Sequence, residues 1–294
     1  MSTYHIPVML TEVLEYLNVQ KDKWYVDCNL GGGGHTGAIL EKGGKVLGID
    51  MDKDAITEAE ESQDSRLKTE DLILVQSNFV KVKEICEEKK IIPSGILFDL
   101  GMSTHQLEAA GRGFSFNASA PLDMRMDQTF GATAKDLVNG LHQGELEELF
   151  IKYGEEFQAK RIAMRIVDER RAKPIETTDE LARIVTSVYK RNKGNRLHPA
   201  TRIFQALRIA VNDELNSLKE ALPASFDVLE KGGRLVVISF HSLEDRIVKN
   251  YFKELEEGGK AKILTDKPVT PSDEEVAQNP RSRSAKLRVV EKIS

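Results

Sequence analysis

Residues 27–37 read Asp27-Cys28-Asn29-Leu30-Gly31-Gly32-Gly33-Gly34-His35-Thr36-Gly37, between a short apolar run and a helical pattern. Consecutive glycines suit a strand-to-helix turn, because a bare backbone bends tightly and lets a ligand approach closely. The segment also contains G-x-G-x-x-G, a weakly specific pattern shared with dinucleotide-dependent dehydrogenases. Asp27, at the strand's end, would repel a pyrophosphate but attract an ammonium group. The segment therefore favours S-adenosylmethionine, which carries a methionine ammonium, bound at Asp27, Gly31, Gly33 and Gly34.

Strand and helix patterns alternate around this turn, as in parallel βαβ units. The strands predicted in the first hundred residues are Trp24–Asp27, Lys45–Asp50, Asp71–Val75 and Gly95–Leu100. Strand character resumes only at Arg234–Ser239, Lys260–Leu264 and Leu287–Lys292. These patterns predict an α/β fold, a doubly wound, Rossmann-like sheet of about seven strands. With S-adenosylmethionine as its ligand, such a sheet would be of the class I methyltransferase type.

The chain between the fourth and fifth strands has a different character. Residues 101–125 are rich in Gly, Ser and Pro, and residues 132–222 show only helical periods. We therefore predict an inserted all-helical domain at residues 108–208, within a cofactor-binding domain formed by residues 1–107 and 209–294.

Three side chains at predicted strand ends are candidate ligand contacts, because ligands of open α/β sheets bind at the carboxyl ends of the strands. Asp50 could accept hydrogen bonds from both ribose hydroxyls; its alternative role is a helix N-cap, for which Asp52 is better placed. Asp99 is the first candidate for contacting cofactor and reacting group, with a structural loop cap as the alternative. Phe79 could contact an adenine or belong to the core.

Two later segments are also candidate sites. Arg112 to Phe116 interleaves a cation with Phe114 and Phe116, which suits stacking on an unpaired base, although a short half-buried strand fits equally. His241 follows the fifth strand and could be a base, a substrate hydrogen-bond donor or a helix cap. The sequence does not rank these three roles.

Charge is distributed unevenly along the chain. The net charge is -5, yet residues 158–208 contain thirteen Lys or Arg and five Asp or Glu, a local balance of +8. Clustered cations such as Arg161, Arg165 and Arg202 can neutralise phosphates, whereas a pair of solvated helix faces is the ordinary alternative. Cys28 and Cys86 match no disulfide or zinc spacing, and no metal site is expected. The sequence shows neither a signal peptide nor a membrane span, which predicts a cytoplasmic protein.

The sequence resembles the bacterial MraW, or RsmH, family over nearly the whole chain. The motifs that carry the resemblance are His5–Leu10, Gly33–His35, Asp99–Ser103, Arg112–Phe116, Pro121–Asp127, Tyr153–Glu156, His198–Ile209, the segment around His241, and Asn279–Arg288. The chain departs from the family in having Asn29 where Asp-x-Thr-x-Gly is usual, and Thr104-His105 where Ser-Pro is usual.

The resemblance implies transfer of a methyl group from S-adenosyl-L-methionine to N4 of a cytosine in small-subunit (16S) ribosomal RNA. The cofactor contacts that it implies are Gly33, Gly34, His35, Asp50, Phe79, Asp99 and Gln106. Asp99 and His241 are the candidate catalytic residues. The candidate contacts to the RNA are Arg112, Phe114, Phe116, Arg125, Arg161, Arg165 and Arg202.

Two rival functions remain open from sequence. A nicotinamide-dependent oxidoreductase would use the same glycine pattern, and a ribosome assembly factor could bind RNA without turnover. The protein is expected to act as a monomer or homodimer.

Overall fold

The computed structural model describes residues 7–102, 111–129, 131–189 and 198–294. The chain divides into two compact units, one formed by Met1–Thr104 with Leu215–Ser294 and the other by His105–Glu214. The second unit ends at Glu214 instead of the predicted residue 208, because helix Thr201–Asn212 continues past residue 208.

The first unit contains a seven-stranded sheet in the order β3-β2-β1-β4-β5-β7-β6. Its strands are β1 Trp24–Asp27, β2 Lys45–Asp50, β3 Leu72–Gln76, β4 Gly95–Asp99, β5 Arg234–Ser239, β6 Ala261–Ile263 and β7 Lys286–Lys292. Strands β1 to β5 pair in parallel, while β7 runs antiparallel to both β5 and β6. The predicted α/β fold is confirmed.

The direction of strand addition reverses between β1 and β4, which are neighbours in the sheet. From β1 the chain adds β2 and β3 on one side, whereas β4 and β5 extend the sheet on the other. Such a switch point leaves a crevice at the carboxyl ends of the two strands, where ligands bind in open α/β sheets. The ends of β1 and β4 are Asp27 and Asp99.

Both faces of the sheet are buried, which explains the continuous apolar strands. In β4, Ile96 and Phe98 belong to one core cluster and Leu97 to another. This alternation follows from the two-residue period of a strand. The helices of the first unit are Leu10–Leu17, Gly34–Glu41, Lys53–Glu61, Val82–Lys89, Glu214–Val228, Ser242–Glu257 and Asp273–Gln278.

The described residues of the second unit form helices and one isolated bridge, between Pro121 and Thr177. The helices are Ala134–Gly140, Gln143–Gly154, Ala159–Arg170, Thr178–Val188 and Thr201–Asn212. Their apolar stripes supply a core that contains Phe150, Ile162 and Leu207, each with no exposed surface. Across the described residues, no helix has the length and apolar character needed to span a membrane.

Candidate functional site

The glycine turn joins β1 to helix Gly34–Glu41. Gly31 and Gly33 have φ values of 49° and 72°, in the left-handed region that glycine adopts without strain. A Cβ on Gly33 would also come within 3.0 Å of a Leu67 methyl group. The turn therefore requires glycine for its backbone conformation and its close packing, and it presents the start of the helix at the carboxyl edge of the sheet.

Asp50 braces this turn from the end of β2. Its Oδ2 accepts a hydrogen bond from the Gly31 backbone N–H at 3.0 Å, and its Oδ1 accepts one from Asp52 N–H at 2.9 Å. Desolvation raises the pKa of Asp50 to about 6, against which these two bonds act. Asp52 caps the next helix by accepting from Asp54 N–H, as predicted, so Asp50 is not the cap.

Asp27 is buried at the end of β1, with 1% of its surface exposed. Its carboxylate accepts hydrogen bonds from the Thr36 hydroxyl at 2.8 Å and the Asn29 backbone N–H at 3.3 Å. Burial raises the pKa of Asp27 to about 6. The Asn29 side-chain oxygen, on the same turn, is buried without a hydrogen-bond partner among the described residues. Buried acceptors are ordinarily hydrogen-bonded, so this oxygen is available to a donor from outside the described residues.

Asp99 and His35 face each other beside the switch point, with His35 Nδ1 3.7 Å from Asp99 Oδ2. His35 Nε2 lies 3.0 Å from the Val8 carbonyl oxygen; since that oxygen can only accept, Nε2 carries the proton and Nδ1 is bare. Burial lowers the pKa of His35 to about 4. Burial, together with Asp27 and Glu244, raises the pKa of Asp99 well above its usual range. Asp99 Oδ1 is a second buried acceptor without a partner in the described structure.

Phe79 follows β3 and is half-buried. Its ring packs edge-on against Phe98, with centroids 5.4 Å apart at 80°, so it belongs to the border of the core. Its contact with an adenine stays a prediction. Gln106 lies outside the described residues, and so do Lys190 and Arg191 of the predicted cation cluster.

His241 is the N-cap of helix Ser242–Glu257, one of its three predicted roles. Its Nδ1 lies 3.4 Å from the Glu244 backbone N–H, and its Nε2 lies 3.1 Å from a Glu244 carboxylate oxygen. Glu244 in turn accepts from the backbone N–H groups of Phe240 and His241. These contacts describe a reciprocal cap, and a catalytic role for His241 stays a prediction.

Arg112 and Phe114 are buried within the second unit, at 5% and 6% exposure. The Arg112 guanidinium donates to the carbonyl oxygens of Arg125 and Met126 at 3.1 and 2.9 Å. The Arg112 side chain thus supports its own loop, and contact of this pair with RNA stays a prediction. Phe116, half-buried, stacks on His198 with ring centroids 4.5 Å apart.

The predicted RNA-binding arginines of the same unit differ in their surroundings. Arg125 makes a two-bond ion pair with Asp123, at 2.8 and 2.9 Å. Arg165 pairs with Glu169 at 2.6 Å across one helical turn, with both side chains about half exposed. Arg161 is exposed and donates to the amide oxygen of the Gln158 side chain at 3.2 Å. Arg202 donates to the Glu155 carbonyl oxygen at 2.9 Å.

The structure thus gathers Asp27, the glycine turn, His35, Asp50 and Asp99 along the carboxyl ends of β1, β2 and β4. Sequence reasoning assigned no function to Asn29 or to the Val8 carbonyl. Asn29 stands two residues beyond a strand end, a position that could have marked it as a candidate. The Val8 contact joins distant parts of the chain and leaves no local signal.

Known proteins are similar to this chain over nearly its whole length. The model of the MraW methylase family matches residues 2–293. A relative from Heliobacterium mobile, named ribosomal RNA small subunit methyltransferase H, is 46% identical over 320 residues and covers 100% of both chains. A relative of the same name from Geotalea uraniireducens is 49% identical over 312 residues, 99% of each chain.

Among solved structures, a putative methyltransferase from Streptococcus mutans in complex with SAH aligns over 98% of this chain and 99% of its own. It is 13% identical, with a TM-score of 0.48. The family match spans nearly every residue, and the two relatives are aligned almost end to end. The chain belongs to the MraW methylase family.

Proposed function

We propose that this protein transfers a methyl group from S-adenosylmethionine to N4 of a cytidine in 16S ribosomal RNA of the small subunit. The observation that carries the proposal is the near-complete alignment with relatives named for methylation of small-subunit ribosomal RNA. N4 as the target atom rests on the motif resemblance in the sequence. An RNA substrate of this kind would place the reaction in the cytoplasm.

The residues at the switch point fit such a cofactor. Two buried acceptors, Asn29 Oδ1 and Asp99 Oδ1, have no hydrogen-bond partner among the described residues. A donor of the cofactor would satisfy Asn29 Oδ1, and the amine of the substrate would satisfy Asp99 Oδ1. Asp50 could accept from ribose hydroxyls and Phe79 could contact the adenine, while the glycines give the backbone room for close approach. When bound, the cofactor supplies an electrophilic sulfonium methyl group.

Asp99 is the proposed proton acceptor. The lone pair of a cytosine amine is delocalised into the ring, so an acceptor that holds an amino hydrogen helps to localise it for attack. After transfer the nitrogen is positively charged and must lose a proton, and the free Oδ1 of Asp99 can take it. In the protein without ligand, burial raises the pKa of Asp99, so the carboxyl binds a proton more readily than usual. Beside a cationic ligand the carboxyl would ionise first, because an opposite charge lowers its pKa.

His35 is the proposed positioning residue for Asp99. Its donated hydrogen bond to Val8 fixes the ring with the bare Nδ1 3.7 Å from Asp99 Oδ2, where Nδ1 can accept a hydrogen bond from the carboxyl once Asp99 has taken a proton. A neutral imidazole places no positive charge beside the carboxyl, so Asp99 keeps its affinity for a proton.

Arg161 and Arg165, exposed on helix Ala159–Arg170, are proposed to contact RNA phosphates. For single-stranded nucleic acid, each phosphate contact adds about −0.7 to the slope of log affinity plotted against log salt concentration. Replacing both by Glu should therefore weaken RNA binding and flatten its salt dependence. Lys249→Glu with Lys253→Glu, which reverses two exposed charges on helix Ser242–Glu257 of the other unit, is the matched control. Unchanged affinity and slope in the double variant would remove this part of the proposal.

The experiment that tests the function uses labelled S-adenosylmethionine and small ribosomal subunits from cells lacking the enzyme. The wild-type protein should label the small-subunit RNA, whereas the Asp99→Asn variant should bind cofactor and label the RNA far more slowly. Cofactor binding without any transfer to subunits or naked RNA would favour a non-catalytic assembly factor. Binding of a nicotinamide cofactor in its place would favour the oxidoreductase.

A further inference from the structure

We propose that Phe157 and Arg202 form a stacking platform for an unpaired RNA base on the helical unit, in addition to the phosphate contacts proposed for Arg161 and Arg165. The inference rests on the proposed function, since it takes the substrate to be RNA. It adds a base contact that recognises the flat face of a nucleobase.

Phe157 is the anomaly that motivates the proposal. It lies in the turn between helices Gln143–Gly154 and Ala159–Arg170, with 91% of its surface exposed. The next most exposed large apolar side chain in the described chain is Ile92, at 67%. A single exposed apolar residue is ordinary, so exposure alone does not identify a site.

Arg202 distinguishes this ring from other exposed apolar groups. Its guanidinium lies over the ring, 5.4 Å from the centroid, and donates to the Glu155 carbonyl oxygen at 2.9 Å. Glu155 ends helix Gln143–Gly154 as its C-cap, so Arg202 is anchored to a rigid element. The ring is thus oriented by a cation while most of its surface remains open. Nucleobases stack on aromatic rings and on guanidinium planes in single-stranded RNA recognition.

The charge beside the platform favours a polyanion over an apolar protein partner. Residues 155–165 contain three exposed cations, Lys160, Arg161 and Arg165, against two acidic residues, of which Glu155 is exposed and Glu156 is buried. The neighbouring carboxylate of Glu156 is buried and accepts a hydrogen bond from Gln158 N–H, so it is turned away from the surface. An aromatic face next to clustered cations matches the alternating bases and phosphates of a single strand.

The test compares Phe157→Ala, Phe157→Leu and Phe157→Tyr in the full-length protein. The probes are an unstructured oligoadenylate and an abasic oligoribonucleotide of equal length. Removing a stacking ring should weaken oligoadenylate binding about 5- to 150-fold. Leu should behave like Ala, Tyr should restore affinity, and abasic binding should not change. Ile92→Ala, an exposed apolar residue of the other unit, should have no effect.

Three results would overturn the platform. Equal oligoadenylate binding by Phe157→Ala and wild type would remove it, and wild-type affinity in Phe157→Leu would show that the ring face is not used. A Phe157→Ala variant that changes only the sedimentation of the protein would assign the ring to contact between two copies of the chain.

Methyl-transfer kinetics on small subunits separate this inference from the proposed function. If the proposed function and the stacking platform both hold, Phe157→Ala raises KM and leaves kcat unchanged, while Asp99→Asn lowers kcat. If wild type transfers no methyl group but still prefers oligoadenylate over the abasic strand through Phe157, the function fails and the platform stands. If wild type is active and Phe157→Ala matches it in KM and in oligoadenylate affinity, the platform alone fails.

Discussion

Replacing His35 with Gln should change how the stability of the protein depends on pH. Burial lowers the pKa of His35 from 6.5 to about 4, so the folded state binds fewer protons than the unfolded state between these values. Neutral His35 makes its full contribution to the free energy of unfolding above pH 6.5. This contribution decreases as the pH falls and is lost near pH 4. One pKa unit corresponds to about 1.4 kcal/mol, so the shift of His35 changes the free energy of unfolding by about 3 kcal/mol across this interval.

Asp27 and Asp50 act in the opposite direction. Their pKa values are raised from 3.8 to about 6, so each makes the protein less stable as the pH rises through that interval. The pH dependence of the free energy of unfolding of the wild type is therefore a sum of opposing contributions. The difference between wild type and His35→Gln isolates the histidine, provided that the carboxyl groups titrate alike in both proteins.

Urea unfolding at pH 4 and pH 7 measures this difference directly. Wild type should gain about 3 kcal/mol relative to His35→Gln between pH 4 and pH 7. His142→Gln, an exposed histidine of the other unit, is the matched control. A wild-type advantage that is equal at both pH values would show that His35 is not held neutral by burial, and would refute the proposed arrangement beside Asp99.

Substitutions of Asp99, His241 and Gly113 test separate parts of the structure. Asp99→Asn should slow methyl transfer by about 10²- to 10⁴-fold with cofactor affinity retained in calorimetry, because the proton acceptor is lost; near-normal turnover would exclude Asp99 from that role. His241→Ala should cost about 1 kcal/mol in denaturant unfolding and His241→Asn much less, as expected of an N-cap; lost activity at unchanged stability would assign His241 to catalysis. Gly113→Ala should destabilise the second unit by about 2 to 4 kcal/mol, because at φ 75° its Cβ would collide with the Pro121 carbonyl. Gly111→Ala, at φ 95° with open space around it, should cost less, and equal losses at both positions would contradict the collision.

The sheet and the edge that carries the candidate site were predictable from sequence, because both follow from local patterns. Buried parallel strands are continuously apolar, and a carboxylate that closes such a strand must emerge at its end. Asp27, Asp50 and Asp99 satisfy this rule, and the glycine run marks the turn beside them. That Asp52 and not Asp50 caps the next helix was also predictable, because Asp52 directly precedes that helix.

The direction of side chains in the irregular segments was not predictable. Arg112 and Phe114 lie in a sequence that suits base stacking, yet both side chains are buried, and Arg112 donates to the carbonyl oxygens of Arg125 and Met126. Such contacts depend on residues far along the chain. Phe157 is the reverse case, an aromatic residue whose type suggests a core position and whose ring is exposed.

Identification of the methylated nucleoside tests the central claim most directly. Small subunits from cells lacking the enzyme would be incubated with the protein and S-adenosylmethionine, and their RNA digested and separated against standards by mass spectrometry. The proposed chemistry predicts N4-methylated cytidine, formed by wild type and strongly reduced with Asp99→Asn. A methyl group on C5 of the base or on the ribose 2′ oxygen, or none despite cofactor binding, would contradict it.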